Sequence, residues 1–232
     1  MDIEAYSQSS PHFYGVAIPA LLKKHLDAST FRSVLDCGCG DGSLMYALKQ
    51  GGYLAKRETY AVDLSQNRIE LVRQIDPSIR AYVDSAEVLG RIPDSSIDFF
   101  ISTQVIEHID DKKFAAVIRR VVRTNGTIYL NTVFKKWYGW YFYRNNGQWM
   151  LDPTHLREYR TDNELLALFD PQDFTCIETR KSLIWFPVMD FLVKLSGTKN
   201  RQIYENRLIA LLRKIKVPVP GYYLWEIVLR RV

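Results

Sequence analysis

The chain has 232 residues, a length that one α/β domain can fill because a single core of that size already buries most of its apolar surface. Hydrophobic residues make up 47% and charged residues 25% of the chain, which excludes a largely disordered or collagen-like protein. The formal net charge of +5 is unevenly distributed, since residues 194–216 hold seven Lys and Arg but one acidic residue. This segment fits either a local basic patch that binds an anionic partner or an ordinary solvated helix face.

Strands and helices alternate along the first half of the chain. Pro11 and the apolar spacing after it predict an amphipathic lead-in helix over residues 11–27. The pattern then predicts strands at Ser33–Asp36, Thr59–Leu64, Ile79–Val83, Ile97–Ser102 and Thr127–Asn131, helices at Ser43–Gln50, Gln66–Gln74 and Lys112–Arg123, and a turn at Thr124–Gly126. This alternation predicts a mostly parallel sheet covered on both faces.

The chain changes character after Thr132. Eight of the sixteen residues from Phe134 to Trp149 are aromatic. The remaining predicted elements are a capped helix from Thr161 through Phe169, strands at Phe174–Leu183 and Tyr222–Arg231, helices at Val188–Leu195 and Arg201–Lys214, and a proline-rich lead at Val217–Gly221. We expect one domain over residues 1–232, with an aromatic insertion at 133–150 and a basic helical insertion at 185–216.

No part of the sequence predicts export or a membrane span. The apolar runs are shorter than the roughly 18 residues that a spanning helix needs, and the first ten residues do not resemble a signal peptide. Three cysteines do not make a disulfide framework, and Cys37 and Cys39 lack the Cys and His partners of a zinc site. A cytoplasmic protein is the expectation.

Three glycines occupy a predicted strand-to-helix turn, in the stretch Val34-Leu35-Asp36-Cys37-Gly38-Cys39-Gly40-Asp41-Gly42-Ser43. Glycine is required where the backbone takes a positive φ or touches a ligand without a Cβ. A dinucleotide-binding fingerprint follows the same logic but needs its third glycine at position 43, which is a serine here. Alone, the loop fits either a cofactor site or an ordinary tight turn.

Asp63 adds a second feature of a nucleoside site. It ends the next predicted strand, 23 residues after Gly40, where a carboxylate can accept both hydroxyl protons of a ribose. The same position is also suited to capping the following helix.

Six motifs follow one another along residues 31–180: VLDCGCGDGS, YAVDLS, VDSAEVL, SSIDFFISTQVIEHIDD, RVVRTNGTIYLNT and DPTHLREY. In this order they resemble the class I S-adenosylmethionine (SAM)-dependent methyltransferase superfamily. The resemblance implies a doubly wound, Rossmann-like α/β fold with a seven-stranded, mostly parallel sheet whose last strand is antiparallel. It also implies SAM as the cofactor.

The resemblance assigns roles to individual residues of the cofactor site. Asp63 is expected to bind the ribose of SAM, and Gln104, after the fourth strand, to lie close to the sulfonium. Asp84 and Ser85 compete for the adenine contact, because the spacing from Asp84 to Asp98 is slightly longer than the family's usual one. The methionine part of SAM is expected to be held by Asp36, Gly38, Gly40 and Gly42.

Methyl transfer from SAM needs an aligned acceptor and, where necessary, a base, but no covalent protein nucleophile. The candidates for a base or orienter are His108, His155 and Glu107. In some quinone-biosynthesis O-methyltransferases, which the Val105–His108 segment resembles, a further Glu three residues before the Glu-His pair helps to bind magnesium. Gln104 stands at that position here, and since hard cations prefer charged oxygen ligands, no metal site is assigned.

The aromatic segment follows the fifth strand, at the edge of the sheet where α/β folds bind ligands. We hypothesise that it forms a lid or channel for an apolar acceptor, because polar residues such as Lys135 are interleaved and a buried segment would tolerate them poorly. The alternative is that the aromatic side chains cap the core. The residues concerned are Trp137, Tyr138, Trp140, Tyr141 and Phe142.

The expected function is methylation of a small amphipathic acceptor, a quinone, lipid or lipid-linked sugar, most plausibly at oxygen by the resemblance. Apolar and basic helices near 190–216 make an anionic membrane surface a candidate partner, although they fit an oligomer contact equally well.

An RNA methyltransferase is the alternative that the positive charge permits. Against nucleic acid, the sequence holds no recognisable RNA-binding module, and Ser102-Thr103-Gln104-Val105 stands where an Asn/Asp-Pro-Pro-aromatic tetrad would favour methylation of nitrogen. A non-catalytic SAM-binding subunit is the third reading, and a nicotinamide-dependent dehydrogenase the fourth.

Overall fold

A seven-stranded sheet runs through the protein, and in spatial order its strands cover residues 80–83, 58–63, 33–37, 97–103, 122–135, 216–231 and 174–187. The computed structural model describes residues 17–145, 147–195, 211–212 and 214–232. The sheet is mostly parallel with one antiparallel strand, which confirms the predicted fold class. Its strands are β1 Ser33–Cys37, β2 Glu58–Asp63, β3 Arg80–Val83, β4 Ile97–Thr103, β5 Val122–Lys135, β8 Phe174–Pro187 and β9 Lys216–Arg231.

The helices alternate with these strands in the first half of the chain. They are α1 Ala20–Ala28, α2 Ser43–Gln50, α3 Gln66–Ile75, a 3₁₀ turn at Ile106–His108, α4 Asp111–Val121, α5 Asp162–Leu166 and α6 Val188–Leu195. A small hairpin pairs β6 Tyr143–Asn145 with β7 Gln148–Met150. Two of the helices begin at side-chain caps: Ser65 Oγ accepts from the Arg68 amide at the start of α3, and Asp110 accepts from the amides of Lys112 and Lys113 at the start of α4. The cap of α3 is thus Ser65 rather than Asp63.

The chain divides into two compact units. Unit 1 comprises the described residues within 1–132, 162–180 and 226–232, and unit 2 those within 133–161 and 181–225. In unit 1, α1, α2 and α3 bury Leu22, Met45 and Ile69 with Phe99 of β4 in one apolar cluster. Strand β1 is buried at all five positions, as expected of a central parallel strand. In unit 2, an aromatic cluster forms around Tyr141.

Several predicted boundaries need correction. Helix α4 ends at Val121, and strand β5 begins at Val122, so the turn expected at Thr124–Gly126 lies inside the strand. Asn125 there has φ 65°, and the pairing of β5 with β4 shifts register between Ile97 and Phe99, so an irregularity takes the place of a turn. The prolines of Val217–Gly221 likewise lie within β9. The helix predicted through Phe169 ends at Leu166.

Parts of two other predictions lie outside the described residues. The lead-in helix is present from Ala20, but residues 11–16 are not described. In the basic insertion, α6 has the predicted bounds, whereas most of Arg201–Lys214 is not described. Within the described ranges, no helix combines the length and the apolar character needed to cross a bilayer.

Candidate functional site

The loops that carry the predicted cofactor residues all follow parallel strands of unit 1. Strand β1 pairs with β2 and β4, and β2 with β3, each in parallel. The carboxyl ends of these four strands therefore meet at one edge of the sheet. The glycine loop leaves β1, Asp63 ends β2, Asp84 follows β3 and Gln104 follows β4. The structure thus brings the predicted cofactor residues together at that edge.

The glycine loop has the left-handed backbone that its sequence predicts. The φ angles are 77° at Gly38, 55° at Gly40 and 83° at Gly42, all in the region that disfavours side chains. The amides of Gly38 and Cys39 donate to the carbonyl of Val62 at 2.8 and 3.0 Å, which ties the loop to β2. Gly42 then starts α2, with the Tyr46 amide donating to its carbonyl.

Gly38 and Gly40 differ in what an added Cβ would meet. At Gly38 the Cβ would lie 2.2 Å from Val105 Cγ2, whereas at Gly40 it would meet no atom of the described residues within 4 Å. Gly38 is therefore required by packing against the segment after β4. Gly40 faces open space at the sheet edge, where a ligand can approach the backbone.

Substituting these two glycines should separate packing from binding. We expect Gly40→Ala to lower the free energy of unfolding by only about 1 kcal/mol, the strain of a left-handed alanine, while weakening SAM binding about tenfold or more. Gly38→Ala should cost at least about 2 kcal/mol, because Val105 or the backbone must move. Thermal unfolding and titration calorimetry check this, and an equal loss of stability in both variants would contradict it.

Asp36 is a fully buried carboxylate. Its exposed fraction is 0%, and among the described residues neither carboxylate oxygen has a hydrogen-bond partner. Burial, and to a smaller extent the negative charge of Asp63, raises the pKa of Asp36 from its ordinary value to about 7. A buried acid without partners is costly unless a cationic or donor group satisfies it. The amino group of a ligand is such a group.

Asp63 joins the glycine loop to the start of α3. One carboxylate oxygen accepts from the Gly40 amide at 3.0 Å and the other from the Ser65 amide at 3.0 Å. The side chain is 8% exposed, and the Arg68 guanidinium lies 3.6 Å away. The carboxylate is therefore held in one orientation at the sheet edge, with lone pairs left for ribose hydroxyls.

Asp84 and Ser85 form a turn of their own after β3. Asp84 accepts from the Ser85 amide at 2.7 Å and from the Arg91 amide at 3.2 Å, one bond to each oxygen. Ser85 Oγ accepts from the Glu87 amide at 3.1 Å, and its carbonyl from the amides of Val88 and Leu89. Both side chains are partly exposed, so their competition for the adenine stays open.

Gln104 follows β4 with an unusual backbone. Its φ is 55°, although it is not a glycine, and such strain is concentrated at functional sites. Its amide donates to the carbonyl of Asn131 at 3.0 Å, and its side-chain amide donates to Asn131 Oδ1 at 3.2 Å. The sequence analysis did not identify Asn131 as a site residue. The one sequence feature that could have indicated it is its position as the polar residue that ends the apolar stretch of β5.

Glu107 and His108 lie on the 3₁₀ turn after Gln104. Glu107 has an exposed fraction of 0% and accepts from Thr132 Oγ at 3.0 Å. The His108 amide donates to the carbonyl of Val105, which closes the turn. Both residues thus belong to unit 1, on the same strand-end segment as Gln104.

His155 belongs to unit 2 and is part of a buried polar cluster. Its Nδ1 lies 2.8 Å from Glu158 Oε1, which also accepts from the Leu151 amide at 2.6 Å. Lys135 Nζ lies 3.5 Å from Glu158 Oε2, and the His155 and Glu158 side chains are 4% and 1% exposed. Because a carboxylate only accepts, Glu158 places the proton of a neutral His155 on Nδ1.

Lys135 corrects one step of the sequence argument. A buried segment tolerates an interleaved lysine poorly, yet Lys135 is 3% exposed. Glu158 and the carbonyl of Trp149 satisfy its ammonium. Burial lowers the pKa of Lys135, and the Glu158 carboxylate opposes that shift. The sequence did not indicate this pair, because its members are 23 residues apart and no local pattern links them.

The aromatic segment is divided between core and surface within unit 2. Tyr141 is 1% exposed and packs edge-on against Phe186 and Phe191, whereas Trp137 is 88% exposed. Tyr138 and Trp140 are also exposed, and Phe142 is half-buried. Tyr141 thus packs in the core, as the alternative hypothesis expects. For the other four residues, the lid remains a prediction.

Comparisons with known proteins bear on the cofactor site. A family model described as a methyltransferase domain matches residues 35–130, which contain Asp36, the three loop glycines, Asp63, Asp84 and Gln104. The chain is 29% identical over 142 residues to a probable SAM-dependent methyltransferase of Mycobacterium tuberculosis, a match covering 61% of this chain and 48% of the relative. The match thus spans about half the length of that relative.

Two further comparisons concern the wider family and the fold. Over 159 residues the chain is 26% identical to the ubiquinone biosynthesis O-methyltransferase of Bartonella quintana, covering 62% of this chain and 61% of that one. The solved structure of the YcgJ protein of Bacillus subtilis matches with a TM-score of 0.58 and 18% identity, over 90% of this chain and 96% of that one. The structural likeness supports the Rossmann-like fold.

Proposed function

Since the chain belongs to the class I SAM-dependent methyltransferase superfamily, we propose that it transfers a methyl group from SAM to a small amphipathic acceptor, at oxygen. The observation that carries the proposal is Asp36, whose two buried oxygens have no hydrogen-bond partner in the described part of the chain and which precedes a loop whose three glycines have positive φ. When bound, SAM supplies an activated methyl group on a sulfonium. Everything else that the reaction needs is positioning, exclusion of water and movement of a proton.

The residues of unit 1 fit the parts of this cofactor. Asp36 is suited to the ammonium of the methionine part, and the open side of Gly40 to its close approach. Asp63 is suited to the ribose hydroxyls, because two backbone amides hold it in place. Asp84 or Ser85 would contact the adenine, and Gln104 the region of the sulfonium.

His155 is the base that we favour for the acceptor proton. Glu158 Oε1 lies 2.8 Å from its Nδ1 and so fixes the orientation of the imidazole ring. The arrangement resembles a general base oriented by a carboxylate. Glu107 and His108 are the second candidates, on the segment after β4.

Replacing His155 tests this role. We expect His155→Ala to reduce turnover at least about 100-fold, the usual contribution of general base catalysis, with SAM binding unchanged. His25→Ala is the matched control, because His25 also pairs with a glutamate, Glu178, at 2.9 Å, but as part of α1. Steady-state rates of S-adenosylhomocysteine release give the comparison. Full turnover in His155→Ala would transfer the role to Glu107 and His108.

The acceptor class rests on a separate argument. The similarity to a relative named a ubiquinone biosynthesis O-methyltransferase supports oxygen as the methylated atom and a quinone among the acceptors. The exposed aromatic residues of unit 2 suit a partly apolar acceptor such as a quinone, lipid or lipid-linked sugar. We place the enzyme in the cytoplasm, peripherally at a membrane where such acceptors reside.

Incubation with methyl-labelled SAM and whole-cell extract tests the proposal. Products are partitioned between organic solvent, nucleic acid, protein and small polar fractions, with Asp63→Ala as control. We expect label in the organic phase that disappears in the control. Label confined to RNA would favour an RNA methyltransferase. Absence of labelled product despite SAM binding would favour a non-catalytic SAM-binding subunit.

A further inference from the structure

The two units carry opposite charge. Residues 133–161 and 181–225 contain thirteen Lys and Arg but four Asp and Glu, an excess of nine positive charges. The whole chain has a net charge of +5, so the remainder carries four excess negative charges. The positive charge therefore belongs to unit 2, and a partner attracted by it would be anionic.

The exposed aromatic side chains belong to the same unit. In the described part of the chain, the large exposed aromatic residues are Trp137, Tyr138, Trp140 and Trp185, and all lie in unit 2. Exposed aliphatic side chains accompany them, at Leu156, Leu183, Leu192, Leu211 and Ile215. The exposed large apolar residues described in unit 1 are all aliphatic. Unit 2 thus combines positive charge with exposed tryptophan, tyrosine and leucine.

The turn Lys136–Trp140 holds its aromatic side chains in place. The Lys136 amide donates to the carbonyl of Gly221 and the Trp140 amide to that of Pro220, at 2.8 and 3.2 Å. A Cβ on Gly221 would lie 2.5 Å from the Cα of Gly139, so the two glycines let the backbones touch. Trp137, which is 88% exposed, therefore lies on a turn whose backbone is held by hydrogen bonds and close packing.

Ring contacts continue this surface across unit 2. Trp140 packs on Phe142 at 5.0 Å and on Trp149 at 5.8 Å between ring centroids. The exposed Arg144 guanidinium lies 4.3 Å from the Trp149 ring, and Phe142 reaches Phe191 of α6. Lys136 and Arg144 thus border the aromatic residues, and the exposed Leu192 follows Phe191 on α6.

We propose that this aromatic and basic surface of unit 2 docks on an anionic phospholipid bilayer, with Trp137 and Tyr138 in the interfacial layer. Tryptophan and tyrosine favour that layer because one part of the ring is apolar and another forms hydrogen bonds. Lysine and arginine add attraction to anionic headgroups. Nucleic acid would match the charge and the rings, but it offers no acyl region for the exposed leucines.

This inference rests on the proposed function, because docking on a membrane would bring the enzyme to an amphipathic acceptor. Docking is measured without cofactor or acceptor, so the two can fail separately. SAM binding is recorded for every variant by calorimetry as a check on unit 1.

Vesicle co-sedimentation of the full chain at low salt tests the proposal. We expect binding to vesicles of equal parts phosphatidylglycerol and phosphatidylcholine, little binding to phosphatidylcholine alone, and release by added salt. The double variant Trp137→Ala, Tyr138→Ala should bind at least about tenfold more weakly, and Lys136→Glu should also weaken binding. The control is Ile177→Ala, which removes an exposed apolar side chain of unit 1 and should bind as wild type.

Three results would overturn the proposal. The first is equal vesicle binding by the double variant and wild type. The second is absence of vesicle binding together with binding to polyuridylate that depends on the same residues, which would assign the surface to nucleic acid. The third is absence of vesicle binding with self-association that the double variant abolishes, which would assign it to a second copy.

Discussion

Asp63→Ala is expected to weaken SAM binding at least about 100-fold. The substitution removes both acceptors for the ribose hydroxyls, and each hydrogen bond to a charged group contributes about 1.5–3 kcal/mol. It also releases the amides of Gly40 and Ser65, so the loop loses one of its links to the end of β2, while the bonds from Gly38 and Cys39 to Val62 remain. Titration calorimetry with SAM measures the effect.

The matched control is Asp98→Ala. Asp98 Oδ2 also accepts two backbone amides, those of Arg32 and Ser33, at 2.7 and 3.0 Å. It lies near the start of β4, at the opposite end of the strand from Gln104. The control should lose stability and retain SAM binding. Equal losses of affinity in the two variants would mean that Asp63 acts through folding alone.

Asp36→Asn is expected to weaken SAM binding at least about tenfold and to change how stability depends on pH. The pKa of Asp36 is raised from 3.8 to about 7 in the folded protein. Its contribution to stability is therefore fully present below about pH 3.8 and is lost as the pH rises through about 7. Between pH 5 and pH 8, wild type without ligand should lose about 3 kcal/mol relative to the asparagine variant.

Chemical unfolding of both proteins at several pH values measures this difference. SAM binding supplies a second readout, because an ammonium requires the ionised carboxylate. Wild type should release a proton on binding SAM at pH 6, and the variant should release none from this site. Parallel stability curves for the two proteins would contradict a buried, unpartnered Asp36.

The parallel half of the fold was predictable from local patterns. Helix α2 has the predicted bounds, because Gly42 precedes it and Gly51 follows it. The Thr124–Gly126 turn was wrong because turn residues also occur at strand irregularities, which depend on pairing with β4. The β6–β7 hairpin was missed although Asn146-Gly147 is a strong hairpin signal, since aromatic composition dominated the interpretation of that segment.

The candidate site likewise contains residues that local motifs indicate and residues that only the fold brings together. Asp36, Asp63 and Gln104 could be predicted as candidates because each stands at the end of a strand in a recognisable motif. Asn131, Lys135 and Glu158 were missed, since their partners lie far along the chain and only the fold brings them together. The exposure of Trp137 likewise depends on Gly139 meeting Gly221, which no local pattern records.

Calorimetric titration of wild-type protein with SAM, and separately with NAD, tests the central claim most directly. The glycine loop, Asp36 and Asp63 predict binding of one SAM per chain, displaced by S-adenosylhomocysteine, with no comparable binding of NAD. Tight binding of NAD without binding of SAM would contradict the account and assign the loop to a nicotinamide-dependent dehydrogenase.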